Sequence, residues 1–263
     1  MISEVLRKEV LAWIEEDPDP KTRRQLQNWL DAGAESELTS CFQGFLEFGT
    51  AGLRGPLGPG PSRMNRAVVS KTAYGLGKFM YNHGLKSIVI GRDARHGSEE
   101  FTEDTAEIMS GFGFRVLILP RPLPTPLLAF AVRELKVDVG VMVTASHNPP
   151  QDNGYKVYLG GHVTDIDYLG SQIISPTDLE ISKEIQGAPN LNTIKRKRDW
   201  EIVGEEVISE YISKTAALSQ LSSKLKIVYT PLHGVGKETL VKVFAKAGFE
   251  LNLVAEQSEP NPD

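Results

Sequence analysis

From residue 86 onward the chain alternates short apolar runs with amphipathic helical ones, and this alternation restricts the fold more than any other feature. KSIVIG (86–91), RVLIL (115–119) and VDVGVMVTA (137–145) read as strands. FTEDTAEIMSGFGF (101–114) and TPLLAFAVRELK (125–136) carry apolar residues at helical spacing. Strands and helices alternating at this length imply βαβ crossovers. Near-continuous apolar strands imply a sheet covered on both faces. The expected fold class is therefore α/β, with a mixed, mainly parallel sheet and helices on both faces.

The flanks read differently. Val5, Leu6, Val10, Leu11 and Ile14 repeat at helical spacing, and Asp17-Pro18-Asp19-Pro20 interrupts them. A second helical pattern runs from Thr22 to Leu30 and ends near Gly33, so the start is expected to be a helical hairpin. Between 159 and 203 the chain is polar, with Gly160-Gly161, SPTD, GAPN and the basic run KRKR at 195–198. A sheet edge, a short helix and a solvated linker are expected there. A new alternation follows: helix over 203–218, strand over 224–230, helix over 236–248 and strand over 249–256. The resulting division is a helical extension (1–40), an α/β domain (41–190), a linker (191–204) and the opening of a second, similar domain (205–263).

Composition narrows the function classes. A net charge of −5 and a pI near 5.7 argue against a general nucleic-acid binder and against an electrostatic membrane anchor. The one cysteine, Cys41, excludes an internal disulfide and fits a reducing compartment. Charge enters every turn of the first twenty residues, unlike a signal or transit peptide. No apolar run reaches the ~18 residues of a membrane span. A soluble, cytoplasmic globular protein, with neither nucleic-acid nor membrane partners, is expected.

Parallel α/β sheets bind ligands beyond the carboxyl ends of their strands. Three loops lie at such places. TASHNPPQDNGYKVY (144–158) puts Ser146 and His147 directly after a strand, with Pro149-Pro150 stiffening the turn and Lys156 on the next extended run. A hydroxyl nucleophile, an imidazole and an ammonium suit phosphoryl transfer; a polar hairpin without chemistry fits the same residue types. FGTAGLRGPLGPGPSRMN (48–65) surrounds Arg54 with glycine and proline, which lets backbone and guanidinium approach an anion; a flexible interdomain loop is the alternative. In GRDARHGSEEF (91–101), Asp93 and Arg95 are placed to hold each other or a neighbouring loop. There is no Cys/His metal spacing, no GxGxxG and no GxxxxGK[ST]. TPLHGVGKETL (230–240) reads as a strand–loop–helix turn.

Together the three loops resemble those of the α-D-phosphohexomutases, in that family's order. TASHNPPQDNGYK resembles the active-site serine loop, FGTAGLRG the N-terminal arginine loop and GRDAR the second-strand loop. The combination is most similar to the branch of the eukaryotic phosphoglucomutase-2 and phosphopentomutase proteins, with bacterial-type phosphoglucomutases next. The resemblance implies that Ser146 is a phosphoserine exchanging its group with a sugar. It implies that His147 orients the serine or shuttles a proton, and that Lys156 is a general acid or base. Arg54 would contact the phosphoserine or substrate phosphate. Thr144, Asn148, Asp152, Asn153 and Gly154 would complete the substrate-binding loop. Mg²⁺ would bridge to the phosphate on Ser146, and a sugar bisphosphate would serve as activator. The implied reaction moves phosphate between C1 and C6 of glucose, or C1 and C5 of ribose or deoxyribose, through a bisphosphate intermediate.

The chain departs from that family's pattern after residue 205. No aspartate cluster of the DGDxDR kind occurs in 205–263, and the later substrate loops have no counterpart. The expectation is that these 263 residues are inactive alone. The alternative is a non-catalytic sugar-phosphate-binding or regulatory pseudoenzyme.

Overall fold

The computed structural model of the chain describes residues 2–219 and 225–263. Met1, and Lys224 at the head of the expected 224–230 strand, lie outside the described residues.

Among these residues, seven strands form one mixed sheet. In chain order they are β1 (Leu53–Pro56), β2 (Ser87–Arg92), β3 (Arg115–Ile118), β4 (Val139–Val143), β5 (Asp152–Leu159), β6 (Ser171–Gln172) and β7 (Glu201–Ile202). The order across the sheet is β1-β5-β4-β2-β3-β7, with β6 beside β5. Strands β4, β2, β3 and β7 are mutually parallel, whereas β5 runs antiparallel to β1, β4 and β6. The chain moves from β2 outward to β3, then crosses back to place β4 on the other side of β2. The carboxyl ends of β2 and β4 therefore flank a topological switch point, where such sheets open a crevice for ligands.

The helices are α1 (Glu4–Glu16), α2 (Pro20–Ala32), α3 (Glu35–Cys41), α4 (Arg66–Asn82), α5 (Ser98–Phe112), α6 (Thr125–Glu134), α7 (Thr177–Gln186), α8 (Glu205–Ala216) and α9 (Lys237–Lys246). Strand alternation splits the core into two layers. Ile88, Ile90, Val139, Val141 and Val143 pack with α4, α5 and α7 on one face. Val89, Leu117 and Met142 pack with α6 and α8 on the other. Both faces are thus covered, which is why β4 is buried along its whole length.

Several elements differ from the sequence expectation. The N-terminal hairpin is three helices, because Gly33 ends α2 in a left-handed turn and the chain re-enters a helix two residues later. Helix α4 has no counterpart in that expectation. It is buried on most of its circumference, so it lacks a clear polar stripe. Its two glycines serve close packing: a Cβ at Gly75 would lie 2.6 Å from the Ile185 amide nitrogen, and one at Gly77 would lie 2.5 Å from the Phe112 ring.

The stretch 191–204 is not a solvated spacer. Leu191, Ile194 and Val203 are buried, Ser110 donates to the Asp199 carbonyl, and β7 extends the sheet beside β3. Within KRKR, Arg196 donates to the fully buried Asp104 at 2.7 Å and to Ser70 at 2.6 Å. Asp104 also accepts two bonds from Arg66, at 2.7 and 2.9 Å. One buried carboxylate thus holds α4, α5 and the strap together. The basic run is a clamp because its second residue finds that carboxylate. The strap leads into α8, which buries Val207 and Ile208 against α6.

After α8, a separate parallel pair, β8 (Ile227–Tyr229) and β9 (Leu251–Leu253), is joined through α9. Arg121, just beyond β3, pairs with Glu205 at the start of α8 and with Glu238 of α9, fixing this unit to the body. Those bonds, with Lys242, hold the Glu238 carboxyl well below its ordinary range, at about 2.

Removing the shared carboxylate with Asp104→Ala leaves two guanidinium groups without their buried partner. That should lower unfolding free energy by about 3–5 kcal/mol in urea titrations. A loss under about 1 kcal/mol would show that these contacts behave as surface pairs.

Candidate active site

The loop after β4 carries the exposed hydroxyl of Ser146. Thr144 continues the sheet by donating its N–H to Gly154 O at 3.0 Å. Ser146 then adopts φ +61°, a left-handed conformation costly for a residue with a Cβ. Its N–H is satisfied by Thr144 Oγ1 at 3.0 Å. The chain reverses through Asn148 N–H to Ala145 O at 3.1 Å, and through Asp152 N–H to Pro149 O at 3.0 Å, into β5.

The loop is gathered by Arg95, from the loop after β2. Its Nη1 donates to Pro149 O at 2.8 Å and to Asp152 O at 3.1 Å. Its Nη2 donates to Ser146 O at 3.0 Å and to Asn148 O at 2.7 Å. The remaining donor, Nε, faces Asp93 Oδ2 at 3.3 Å. The two terminal nitrogens thus bind four carbonyls while Nε is ion-paired, a pattern that no lysine reproduces. Asp93 is itself fixed, because its Oδ1 accepts from the Arg95 amide at 3.0 Å and from Ser98 Oγ at 2.7 Å.

The glycine-rich segment brings Arg54 to the same place. Gly49 and Gly52 exchange backbone bonds at 2.8 and 3.3 Å, and the chain enters β1 beside β5, with Arg54 opposite Gly154. Only glycine fits at 52: its φ is +75°, and a Cβ would lie 1.9 Å from Tyr155 O. Gly154 is equally constrained, with a Cβ falling 2.7 Å from both Leu53 O and Thr144 O. Arg54 Nη1 donates to Asn148 Oδ1 at 3.1 Å, and Asn148 Nδ2 donates to Asp152 Oδ2 at 2.7 Å. Arginine, asparagine and aspartate thus form a chain across the loop.

Lys156 sits on β5, opposite Met142 of β4. Burial holds its ammonium below the ordinary lysine range, the charge of Arg54 adds to that effect, and Asp93 opposes it. His147 Nδ1 lies 3.4 Å from Ser146 Oγ, a long contact that makes it the ring nitrogen facing the hydroxyl.

Beyond Ser146 opens a cleft of about 550 Å³. Thr144, Ser146, His147 and Asn148 line it on one side, and Leu232, His233 and Gly234 line it as well. Arg54 and Lys156 lie outside that lining; Arg54 reaches the loop through Asn148, and Lys156 stands on the adjoining strand β5. Asn153 and Gly154, expected to contact substrate, are instead buried. Asn153 Nδ2 donates to His96 O and Ser98 Oγ, and its Oδ1 accepts the Gly154 N–H, so both residues shape the loop. His96 pairs with Asp263 at 2.7 Å on the surface. Among the described residues, no group of three or more His, Cys, Asp or Glu could hold a metal ion. No helix among them is long and apolar enough to cross a membrane.

Sequence reasoning underrates two features here. From residue types alone, Arg95 is only one member of a possible pair with Asp93. The 230–236 loop reads as an ordinary turn, although it too follows a parallel strand, and that position is the signal that could have found it.

These features coincide with a known family. Residues 46–187 match phosphoglucomutase/phosphomannomutase α/β/α domain I, and residues 209–263 match domain II. The chain belongs to the phosphoglucomutase/phosphomannomutase family. A Haemophilus influenzae protein named probable phosphomannomutase is 45% identical over 203 residues, 75% of this chain and 41% of that protein. A Pongo abelii phosphopentomutase is 33% identical over 287 residues, 98% of this chain and 45% of that protein. Among solved structures, a putative phosphomannomutase from Thermus thermophilus superposes with a TM-score of 0.68 at 27% identity, over 82% of this chain and 47% of that one. The chain spans less than half the length of each.

Replacing Arg95 with lysine should free the 146–152 carbonyls while leaving the fold intact. Charge-assisted bonds of about 1.5–3 kcal/mol each are lost, so amide hydrogen exchange over 146–152 should quicken at least roughly tenfold. Exchange unchanged in this loop would contradict the clamp.

Proposed function

We propose that this chain carries the phosphoserine half of a phosphosugar mutase. The carrying observation is the loop itself: an exposed Ser146 hydroxyl at a strained turn, locked by Arg95, bonded through Asn148 to Arg54 and followed by Lys156 on β5. A serine hydroxyl is a weak nucleophile without a base, and His147 Nδ1 is the nitrogen facing it. In the proposed step, Ser146 Oγ forms a bond to phosphorus of a sugar bisphosphate while the bond from phosphorus to the sugar oxygen breaks. The Ser146 proton passes to His147. Lys156, eased toward release of its proton by burial and by Arg54, protonates the leaving sugar oxygen. The reverse step returns the phosphoryl group to the other end of the sugar. Phosphoryl transfer of this kind depends mostly on positioning and charge neutralisation, which fits a preassembled loop.

Relatives named phosphomannomutase and phosphopentomutase support a phosphosugar substrate, and one named glucose 1,6-bisphosphate synthase supports a sugar bisphosphate as activator. Mg²⁺ would bind the Ser146 phosphate and supply charge neutralisation there. The described donors do not form a metal cage by themselves, so no step is drawn through the ion. The reading divides the chain into the helical extension (1–40), the serine-bearing domain (41–190), the connecting strap (191–204) and the second unit (205–263). It treats the chain as a cytoplasmic monomer, in keeping with the free, buried Cys41.

Incubating the chain with glucose 1,6-bisphosphate or ribose 1,5-bisphosphate, then mapping peptides by mass spectrometry, tests this. Phosphate is expected on Ser146 and absent from Ser146→Ala, with the better donor identifying hexose or pentose preference. Tight sugar-phosphate binding with Ser146 left unmodified would instead favour a binding or regulatory protein.

A further inference from the structure

The second parallel pair repeats the logic of the first. The loop after β8, residues 230–236, leaves a strand at its carboxyl end and lines the Ser146 cleft. Its backbone is unusual. Among the described residues only four non-glycine positions take a left-handed φ: Lys136, Ser146, Leu232 and His233. Three of these four line this one cleft, and two are consecutive. Such strain persists only where the surroundings enforce it, and it gathers at functional sites.

The enforcing contacts are present. The Leu232 N–H donates to Thr230 Oγ1 at 2.9 Å, and Thr230 donates to Gln257 Oε1 at 2.8 Å. The His233 N–H donates to Gln257 O, and the His233 carbonyl accepts from the Asn261 N–H, each at 3.0 Å. The imidazole is oriented too. His233 Nδ1 lies 3.2 Å from Glu259 O. A carbonyl can only accept, so Nδ1 carries the hydrogen, and in the neutral form of the ring Nε2 is the nitrogen with the lone pair. No hydrogen bond to Nε2 occurs among the described residues.

We propose that His233 contacts the ligand in this cleft, its Nε2 accepting a hydrogen bond from a hydroxyl of a phosphosugar seated between Ser146 and the 230–236 loop. This rests on the phosphosugar reading above. In its neutral form this ring offers a lone pair at Nε2, which suits a hydroxyl donor and disfavours phosphate oxygens, which are acceptors. The anionic end of the ligand therefore belongs toward Ser146, and a hydroxyl-bearing carbon toward His233.

Long-range ¹H–¹⁵N spectra of the histidine rings, together with backbone amide spectra, test this during titration with glucose 6-phosphate, ribose 5-phosphate and inorganic phosphate. The free chain should show His233 as the Nδ1–H form. Its Nε2 signal should shift with a sugar phosphate and stay in place with inorganic phosphate. His233→Ala should weaken sugar-phosphate binding roughly tenfold, the loss of one hydrogen bond to a buried group, with inorganic phosphate unaffected. Shifts at 144–152 without any change at His233 would overturn the inference and leave the phosphosugar reading standing. No response anywhere to either sugar phosphate would overturn both.

Discussion

The geometry of the site depends on a single guanidinium whose two terminal nitrogens bind four carbonyls. Arg95 follows β2, and the loop it gathers follows β4; those two strands are neighbours across the switch point of the sheet. Four carbonyls between Ser146 and Asp152 point at one side chain, so the loop has no freedom to relax its turn at Ser146. An exposed hydroxyl on a left-handed residue would otherwise fold back into an ordinary turn. Here the cost is met by charge-assisted bonds that the two strands place in register.

Close backbone approach is the second constraint. Gly52 and Gly154 let β1 lie against β5 with no side chain between, and this carries Arg54 to Asn148. The resulting neighbourhood is cationic on the β5 side and open on the other. Burial, and after it the charge of Arg54, depresses the affinity of Lys156 for its proton, which makes that lysine a better proton donor than a solvated one. The cleft beyond Ser146 is closed by the unit that Arg121 holds through Glu205 and Glu238, so the second βαβ contributes a wall as well as bulk.

Much of this was legible in the sequence, for identifiable reasons. Strands β2, β3 and β4 are unbroken apolar runs, and their helices have one wet face, so period and length sufficed. The positions of Ser146 and His147 were legible because they follow a strand end ahead of two prolines, whereas Arg54 and Lys156 lie within β1 and β5. Helix α4 was not, because a helix buried on most sides loses its amphipathic stripe and its glycines read as breakers. The KRKR run looked solvated, since nothing local reveals that Arg196 meets Asp104, ninety-two residues away in sequence. Asn153 looked like a ligand contact because its side chain could point either way; the β5 register turns it inward, toward Ser98. The role of His233 needed the fold, since the residues that strain and orient it lie at 257, 259 and 261.

The central claim is that the Ser146 loop is a preassembled cradle for a dianionic phosphoryl group. Its most direct measurement is a ³¹P titration of the chain phosphorylated at Ser146. A free phosphoserine takes up its second proton near pH ~6. Held against Arg54 and Lys156, the phosphate should titrate clearly below that, and Arg54→Met should return it toward the free value. A phosphate that titrates like free phosphoserine, indifferent to Arg54, would mean that the group sits in open solvent and that the loop is not built to hold it.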